Sequence, residues 1–405
     1  APHSLILIIL PMRKNLFLLS ICALFLISCS GASKDSDIIQ VGAESISEYL
    51  PLLEGQRVCI LSNQTGMVTP TTHLLDTLVS LGVNVVSIMS PEHGFRGDAD
   101  AGEHVSSSVD EKTGIPIRSL YDGKGGYPSE ETMEEFDVLV YDLQDVGCRF
   151  YTYVTTMVKA MNRCAEFGKK MIVLDRPNPL GFYVDGPILD MQYKSGVGFI
   201  PVPIVHGMTL GELAGMANGE YWLKDSLQCD LTVIKCKNYT HADKYQLPVK
   251  PSPNLPDMRS VYLYPSMCYF EATPVSLGRG TDNPFKIYGH PDMKGYEFSF
   301  TPQSVPGAKN PPRLGELCYG VDLSVEPSIE EINEAGINLE YLVDAYTNIE
   351  MEDKTKFFRS FIELLSGRDY VRKMIHEGKS AAEIEAVWED DVKHFIEYRR
   401  PYLLY

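Results

Sequence analysis

Between residues 56 and 187, short apolar runs alternate with stretches whose apolar positions recur at helical spacing. Residues 57–61, 83–89, 137–141 and 170–174 are each largely apolar along their length, as strands buried on both faces are. Residues 71–81 place apolar side chains at 74, 75, 78, 79 and 81 with Gly82 as a stop. Residues 153–167 are followed in the same way by Gly168, so both segments are expected as helices. This alternation predicts an α/β fold: a Rossmann-like parallel sheet covered on both faces, with right-handed crossovers. Each expected strand breaks at its carboxyl end into a polar loop containing Gly or Pro. Such ends line the ligand crevice of open α/β sheets, so four of them together predict a pocket.

The texture changes beyond Pro187. Residues 188–325 are rich in Pro, Tyr and Gly, with β-like stretches at 231–234 and 260–263 and loops at 248–256 and 277–284. Helices are expected at 208–217, after Thr209 with Glu212 three residues on, and again after Ser328/Glu331 and Ser380/Glu383. A smaller α+β C-terminal domain is therefore expected. The boundaries read 41–193 for the sheet domain and 194–405 for the second, which completes a cleft.

The N-terminus reads as a processing segment. Met12-Arg13-Lys14 precedes an apolar run over 16–27 that has signal-peptide proportions and is short for a membrane span. It ends in Leu26-Ile27-Ser28-Cys29, which is similar to a bacterial lipobox, with Cys29 as the lipidated residue. Residues 1–28 are thus expected to be a signal peptide, 1–11 to lie upstream of its start methionine, and 29–40 to be a tether. That makes the chain an exported lipoprotein, facing the periplasm or anchored in the outer membrane of a Gram-negative bacterium. Its contact with membrane is expected through the lipid alone.

Composition narrows the partners. The formal net charge is −18, and two of the cations lie in the leader, so the remainder is more acidic still. Such a surface repels polyanions, and nucleic acid is excluded as a partner. Seven cysteines follow Cys29, an odd number without CxxC pairing, so neither a disulfide framework nor a metal site is indicated. A bridge between Cys229 and Cys236, on neighbouring strands, is a lesser expectation. There is no GxSxG elbow, P-loop, HExxH or GxGxxG, which counts against serine-hydrolase, zincin and nucleotide chemistry, and no cofactor is expected.

Carboxylates, arginines and aromatics remain. Glu92, between Pro91 and His93 on a strand-end loop, is the leading catalytic group, since burial raises a carboxyl pKa toward the range of a general acid. An ion pair with Arg96 is its structural alternative. Asp142 and Asp145 flank Gln144, with Arg149, Tyr151 and Tyr153 following; Asp175-Arg176 and Asn178 form the next strand-end loop. Further on, Asn254 is held between prolines, two glycines flank Arg279, and His206 and His290 are candidates to polarise hydroxyls, with a structural role as the alternative. Carboxylates among arginines and aromatic walls suit a carbohydrate site.

Six runs make the chain recognisable. They are 90–97 (Ser-Pro-Glu-His-Gly-Phe-Arg-Gly), 142–153 (Asp-Leu-Gln-Asp-Val-Gly-Cys-Arg-Phe-Tyr-Thr-Tyr), 175–181 (Asp-Arg-Pro-Asn-Pro-Leu-Gly), 206–213 (His-Gly-Met-Thr-Leu-Gly-Glu-Leu), 278–281 (Gly-Arg-Gly-Thr) and 400–405 (Arg-Pro-Tyr-Leu-Leu-Tyr). Together they resemble the NamZ-type exo-β-N-acetylmuramidases, from about residue 41 to the C-terminus. One stretch departs from that pattern: Ala272-Thr273-Pro274 stands where the family has Gly or Ala followed by Thr-Asn.

The resemblance implies a hydrolase that removes β-1,4-linked N-acetylmuramic acid (MurNAc) from the non-reducing end of peptidoglycan fragments such as MurNAc-GlcNAc and muropeptides. It places the catalytic glutamate on Glu92, leaves the second role to Asp142, Asp145 or the sugar's own 2-acetamido group, and brings Thr281 into the binding set. The lactyl carboxylate of MurNAc accounts for Arg96, Arg149, Arg176 and Arg279 as candidate receivers. Competing readings are a muropeptide-binding lipoprotein without catalysis and a cell-wall amidase or esterase.

Overall fold

The computed structural model describes residues 38–95, 108–121, 123 and 125–405. Cys29, Arg96 and the expected leader therefore lie outside the described residues. Residues Ile39–Tyr405 form one compact unit.

Residues up to 234 supply strands β1 (Val58–Ser62), the short hairpin β2 (Met67–Thr69) and β3 (Thr72–His73), β4 (Val85–Ser90), β5 (Ser108–Val109), β6 (Pro116–Ser119), β7 (Val138–Asp142), β8 (Lys170–Leu174) and β9 (Asp230–Ile234). All but the hairpin join one sheet in the order β5-β6-β4-β1-β7-β8-β9. Every pairing is parallel except that of the edge strand β5 with β6. Without β5, this is the doubly wound order in which the chain runs outward from β1, returns, and runs outward the other way. The crevice opens at the reversal, between β1 and β7.

Burial explains the continuous apolar strands. Along β1 and β7 alternate residues enter opposite cores. Cys59, Leu61, Leu139 and Tyr141 face one apolar cluster, while Val58, Ile60, Val138 and Val140 face the other. With both faces covered, no position on these strands meets water, so the polar alternation of a half-exposed strand is absent. Helix α1 (Ile46–Tyr49) and helix α2 (Leu74–Ser80) contribute to the second cluster. The first takes α3 (Glu130–Glu135), α4 (Tyr153–Phe167) and α5 (Leu210–Gly219). It then continues through α6 (Met258–Met267) into the C-terminal helices as far as Phe395. There a three-stranded antiparallel sheet, β10 (Ile287–His290), β11 (Phe298–Phe300) and β12 (Cys318–Asp322), packs among helices in the order β10-β12-β11.

Several expectations change in detail. The helix expected over 71–81 is shorter, because Thr72–His73 pairs with β2 and His73 then caps the helix. Residues 260–263 are helical, not β-like: Asp257 accepts from the Ser260 amide and starts α6, a cap that overrides the β preference of Val261 and Tyr262. The β-like stretch at 231–234 is β9, the last strand of the parallel sheet, although it lies beyond residue 193. Cys229 and Cys236 are both free. They flank the same strand, roughly 20 Å apart along an extended chain, whereas a disulfide needs Cα atoms within about 7 Å. The capping boxes at Thr209, Ser328 and Ser380 all form.

Candidate active site

Strand β4 ends at Ser90, and the chain turns sharply through Pro91 to Phe95. His93 takes a left-handed conformation (φ 70°) within that turn and is buried. A non-glycine residue held this way is a local strain that surrounding structure must impose. The turn delivers Glu92 to a cavity of about 260 Å³, which is also lined by His93, Tyr121, Phe150, Tyr151, Thr152, Ser252, Tyr264, Glu271, Arg279 and Phe285.

The Thr152 hydroxyl donates to Glu92 Oε2 at 2.6 Å. Thr152 is the N-cap residue of α4 but makes no side-chain cap; its hydroxyl serves the glutamate instead. The carboxyl group is thereby fixed beside the start of that helix. Tyr121 bonds the same carboxylate, and burial together with the charge of Glu92 pushes its phenol up to about 12. Tyr121 therefore stays a hydrogen-bond donor at neutral pH. On the far wall, Arg279 Nη2 pairs with Glu271 Oε1 at 2.6 Å, and the guanidinium carbon Cζ lies 5.1 Å from the Phe285 ring centroid. Tyr264 packs against Phe285, Phe150 and Tyr151, with centroids 5.1, 5.3 and 6.0 Å apart, and completes an aromatic wall.

The structure sorts the residues singled out in the sequence. Glu92, His93, Tyr151 and Arg279 line the cavity. Tyr151 also donates to the Pro251 carbonyl at 2.8 Å. The others brace the loops around it. Asp142 is fully buried in a bidentate pair with Arg176, at 2.6 and 3.0 Å, and Arg176 also donates to the Met67 carbonyl. Asp145 accepts from the Gly147 amide at 2.7 Å, and burial pushes its carboxyl up to about 7. Gln144 donates to the carbonyls of Asp145 and Pro177. Arg149 donates to the carbonyls of Pro187, Val202 and Leu365, and burial draws its guanidinium down to about 10. Tyr153 accepts from Asn63 at 2.6 Å.

Asp175 gathers Thr209, the Gly211 amide and Tyr405, and burial lifts its carboxyl to about 6. Asn178 donates to the Met208 carbonyl and accepts from the Leu180 amide. His206 accepts from the Met208 amide, with burial holding its imidazole down near about 3. Asn254 donates to the Gly307 carbonyl, Thr281 closes a turn onto Gly278, and His290 accepts from the Asp292 amide. None of these lines the cavity.

Glu271, Tyr121, Thr152, Tyr264 and Phe285 were not legible as site residues. Glu271 had one signal: it is the only charged residue between Arg259 and Arg279, in an otherwise apolar and small-polar stretch. A charge in such a stretch needs a buried partner.

Two carboxylates, an arginine and aromatic rings surround one cavity beside the ends of a doubly wound sheet, an arrangement that suits a carbohydrate substrate. Family models divide the chain in two: "Exo-beta-N-acetylmuramidase NamZ, N-terminal" matches residues 58–259, and its C-terminal counterpart matches 262–405. The chain belongs to the NamZ family and is a glycosidase. It is 37% identical to the peptidoglycan beta-N-acetylmuramidase NamZ of Bacillus subtilis, over 97% of this chain and 100% of that protein. Two crystal structures of DUF1343 family proteins from Bacteroides fragilis are similar throughout. One is 59% identical with a TM-score of 0.84, the other 30% identical with a TM-score of 0.73. Each match covers 91% of this chain and 99% of the other.

Proposed function

We propose that the enzyme releases β-1,4-linked MurNAc from the non-reducing end of peptidoglycan fragments such as MurNAc-GlcNAc, with Glu92 protonating the glycosidic oxygen. The observation that carries this is the Glu92 carboxylate, held by Thr152 and Tyr121 in a cavity that also presents Arg279, Glu271 and an aromatic wall. The cavity is smaller than the roughly 300–1,000 Å³ typical of ligand sites, which favours one terminal sugar over an extended glycan.

With Asp142 tied to Arg176, Asp145 turned to Gly147 and Glu271 paired with Arg279, this reading takes the substrate's own 2-acetamido oxygen as the nucleophile. Its attack displaces the leaving sugar as Glu92 gives up its proton, and Glu92 then takes a proton from the water that opens the ring intermediate. Incubating the protein with MurNAc-GlcNAc and following products by NMR tests both parts. Free MurNAc appearing first as the β-anomer is expected. An α-anomer overturns the acetamido route, and intact disaccharide overturns the reading as a whole. Glu92→Gln is expected to cut turnover roughly 10²–10⁴-fold; wild-type turnover in that variant removes Glu92 from the role.

The same reading places the enzyme outside the cytoplasm on a lipid anchor at Cys29, after the leader read at 1–28. Membrane fractionation with Cys29→Ser tests it. Release of the variant into the soluble fraction is expected, and unchanged partition rules the anchor out.

A further inference from the structure

Among the described residues, the candidate receivers of a substrate carboxylate differ in where they sit. Arg149 and Arg176 do not line the cavity that holds Glu92; both are buried and held by backbone carbonyls or by Asp142. Arg279 is different. Its side chain is 16% exposed, it lines the cavity that holds Glu92, and among the described residues only Glu271 accepts from it, through Nη2. Most of its five N–H donors are therefore without a protein acceptor there.

The residue is also rigidly presented. Gly278 (φ 86°) and Gly280 (φ 81°) bracket it. A Cβ at either would come within 2.5 Å of the Asn283 carbonyl oxygen or 2.4 Å of that of Gln303. The backbone is thus packed too closely for any side chain on either flank. Phe285 lies beside the guanidinium, and Glu271 fixes one of its corners.

We propose that Arg279, oriented by Glu271 and Phe285, receives the lactyl carboxylate of the terminal MurNAc and so sets the enzyme's preference for MurNAc over neutral N-acetylhexosamines. The inference rests on the reading of the substrate given above. Glu271 leaves the pair close to neutral in the free enzyme, so discrimination comes from geometry more than from net charge. A carboxylate satisfies the unpaired donors in two parallel bonds, whereas a neutral sugar leaves them desolvated and unmet. Glu271 and Phe285 act as positioning residues, and Arg279 touches substrate.

The test compares 4-nitrophenyl β-MurNAc with its lactyl methyl ester, which keeps the shape and loses the charge. Wild-type enzyme is expected to prefer the acid by roughly 10–100-fold in kcat/KM, carried mainly by KM. In Arg279→Met that preference is expected to collapse toward unity, the acid losing far more than the ester. The double variant Arg279→Met/Glu271→Gln removes both charges, leaves no carboxylate stranded, and is expected to behave the same. Thermal melts establish that each variant is folded.

No acid preference in the wild type overturns the proposal without recourse to any variant. So does a preference that survives in the variants, or an equal loss on both substrates, which marks a merely structural arginine. If the wild type hydrolyses neither compound, the catalytic reading fails. Calorimetric binding of free MurNAc against N-acetylglucosamine then decides the subsite alone: a MurNAc preference lost in Arg279→Met upholds it, and no preference or an unchanged one overturns it.

Discussion

Asp145 shows how far burial can move a single side chain. Its carboxyl stands at about 7, against 3.8 for the free group, because only the Gly147 and Val146 amides offset the loss of water. Between about pH 4 and 7 the folded state keeps a proton that the unfolded chain has released. Stability from this group is therefore full below about pH 4 and is lost as pH rises through 7. Asp145→Asn keeps the acceptor and removes the titration. The melting temperature of the variant relative to wild type is expected to climb from pH 4 to pH 8, and a flat difference would place the proton elsewhere. His206 acts in the opposite sense, losing stability as pH falls from 6.5 toward about 3, which is why the variant difference is the quantity to follow. Thr152 makes a kinetic prediction at the same scale. Thr152→Val removes the donor to Glu92 and is expected to lower kcat roughly tenfold with KM little changed. Thr152→Ser is expected to recover most of that loss.

At the scale of elements, the turns are what aim the chemistry. The loop after β7 passes so close to the loop after β8 that a Cβ on Gly147 would sit 2.1 Å from Asn178 Oδ1, and Gly147 itself has φ 87°. Gly147→Ala is expected to cost about 2 kcal/mol or more in urea unfolding, because both the backbone angle and the contact oppose the methyl group. Helix caps are a milder case. Ser380 accepts from the Glu383 amide at the exposed start of the helix Ala381–Glu385. Ser380→Ala is expected to cost about 1 kcal/mol, with activity intact.

Across the whole molecule, one apolar cluster joins a face of the parallel sheet to the C-terminal helices, and Arg149 pins the loop after β7 to Pro187, Val202 and Leu365. The halves matched by the two family models therefore share a core. Urea unfolding is expected as one transition for intensity and circular dichroism alike, and two separated transitions would mean that the halves are energetically independent. Arg149→Met strands three buried carbonyls and is expected to cost on the order of 3 kcal/mol or more.

The sequence by itself determined the parallel sheet, most strand and helix positions, the polar loops at strand ends and the placement of Glu92 on one of them. These follow from periodicity and caps, which are local and written in consecutive residues. The short strands β5 and β6 and the membership of β9 in the sheet were not readable, since pairing across long gaps leaves no local mark. Among the site residues, identity alone did not separate Arg279 from Arg149, or Glu271 from Asp142. A guanidinium reads the same in sequence whether its donors meet carbonyls or an open cavity. Only the tertiary structure decided that, because what a charged group can do depends on which of its hydrogen bonds the fold has already used.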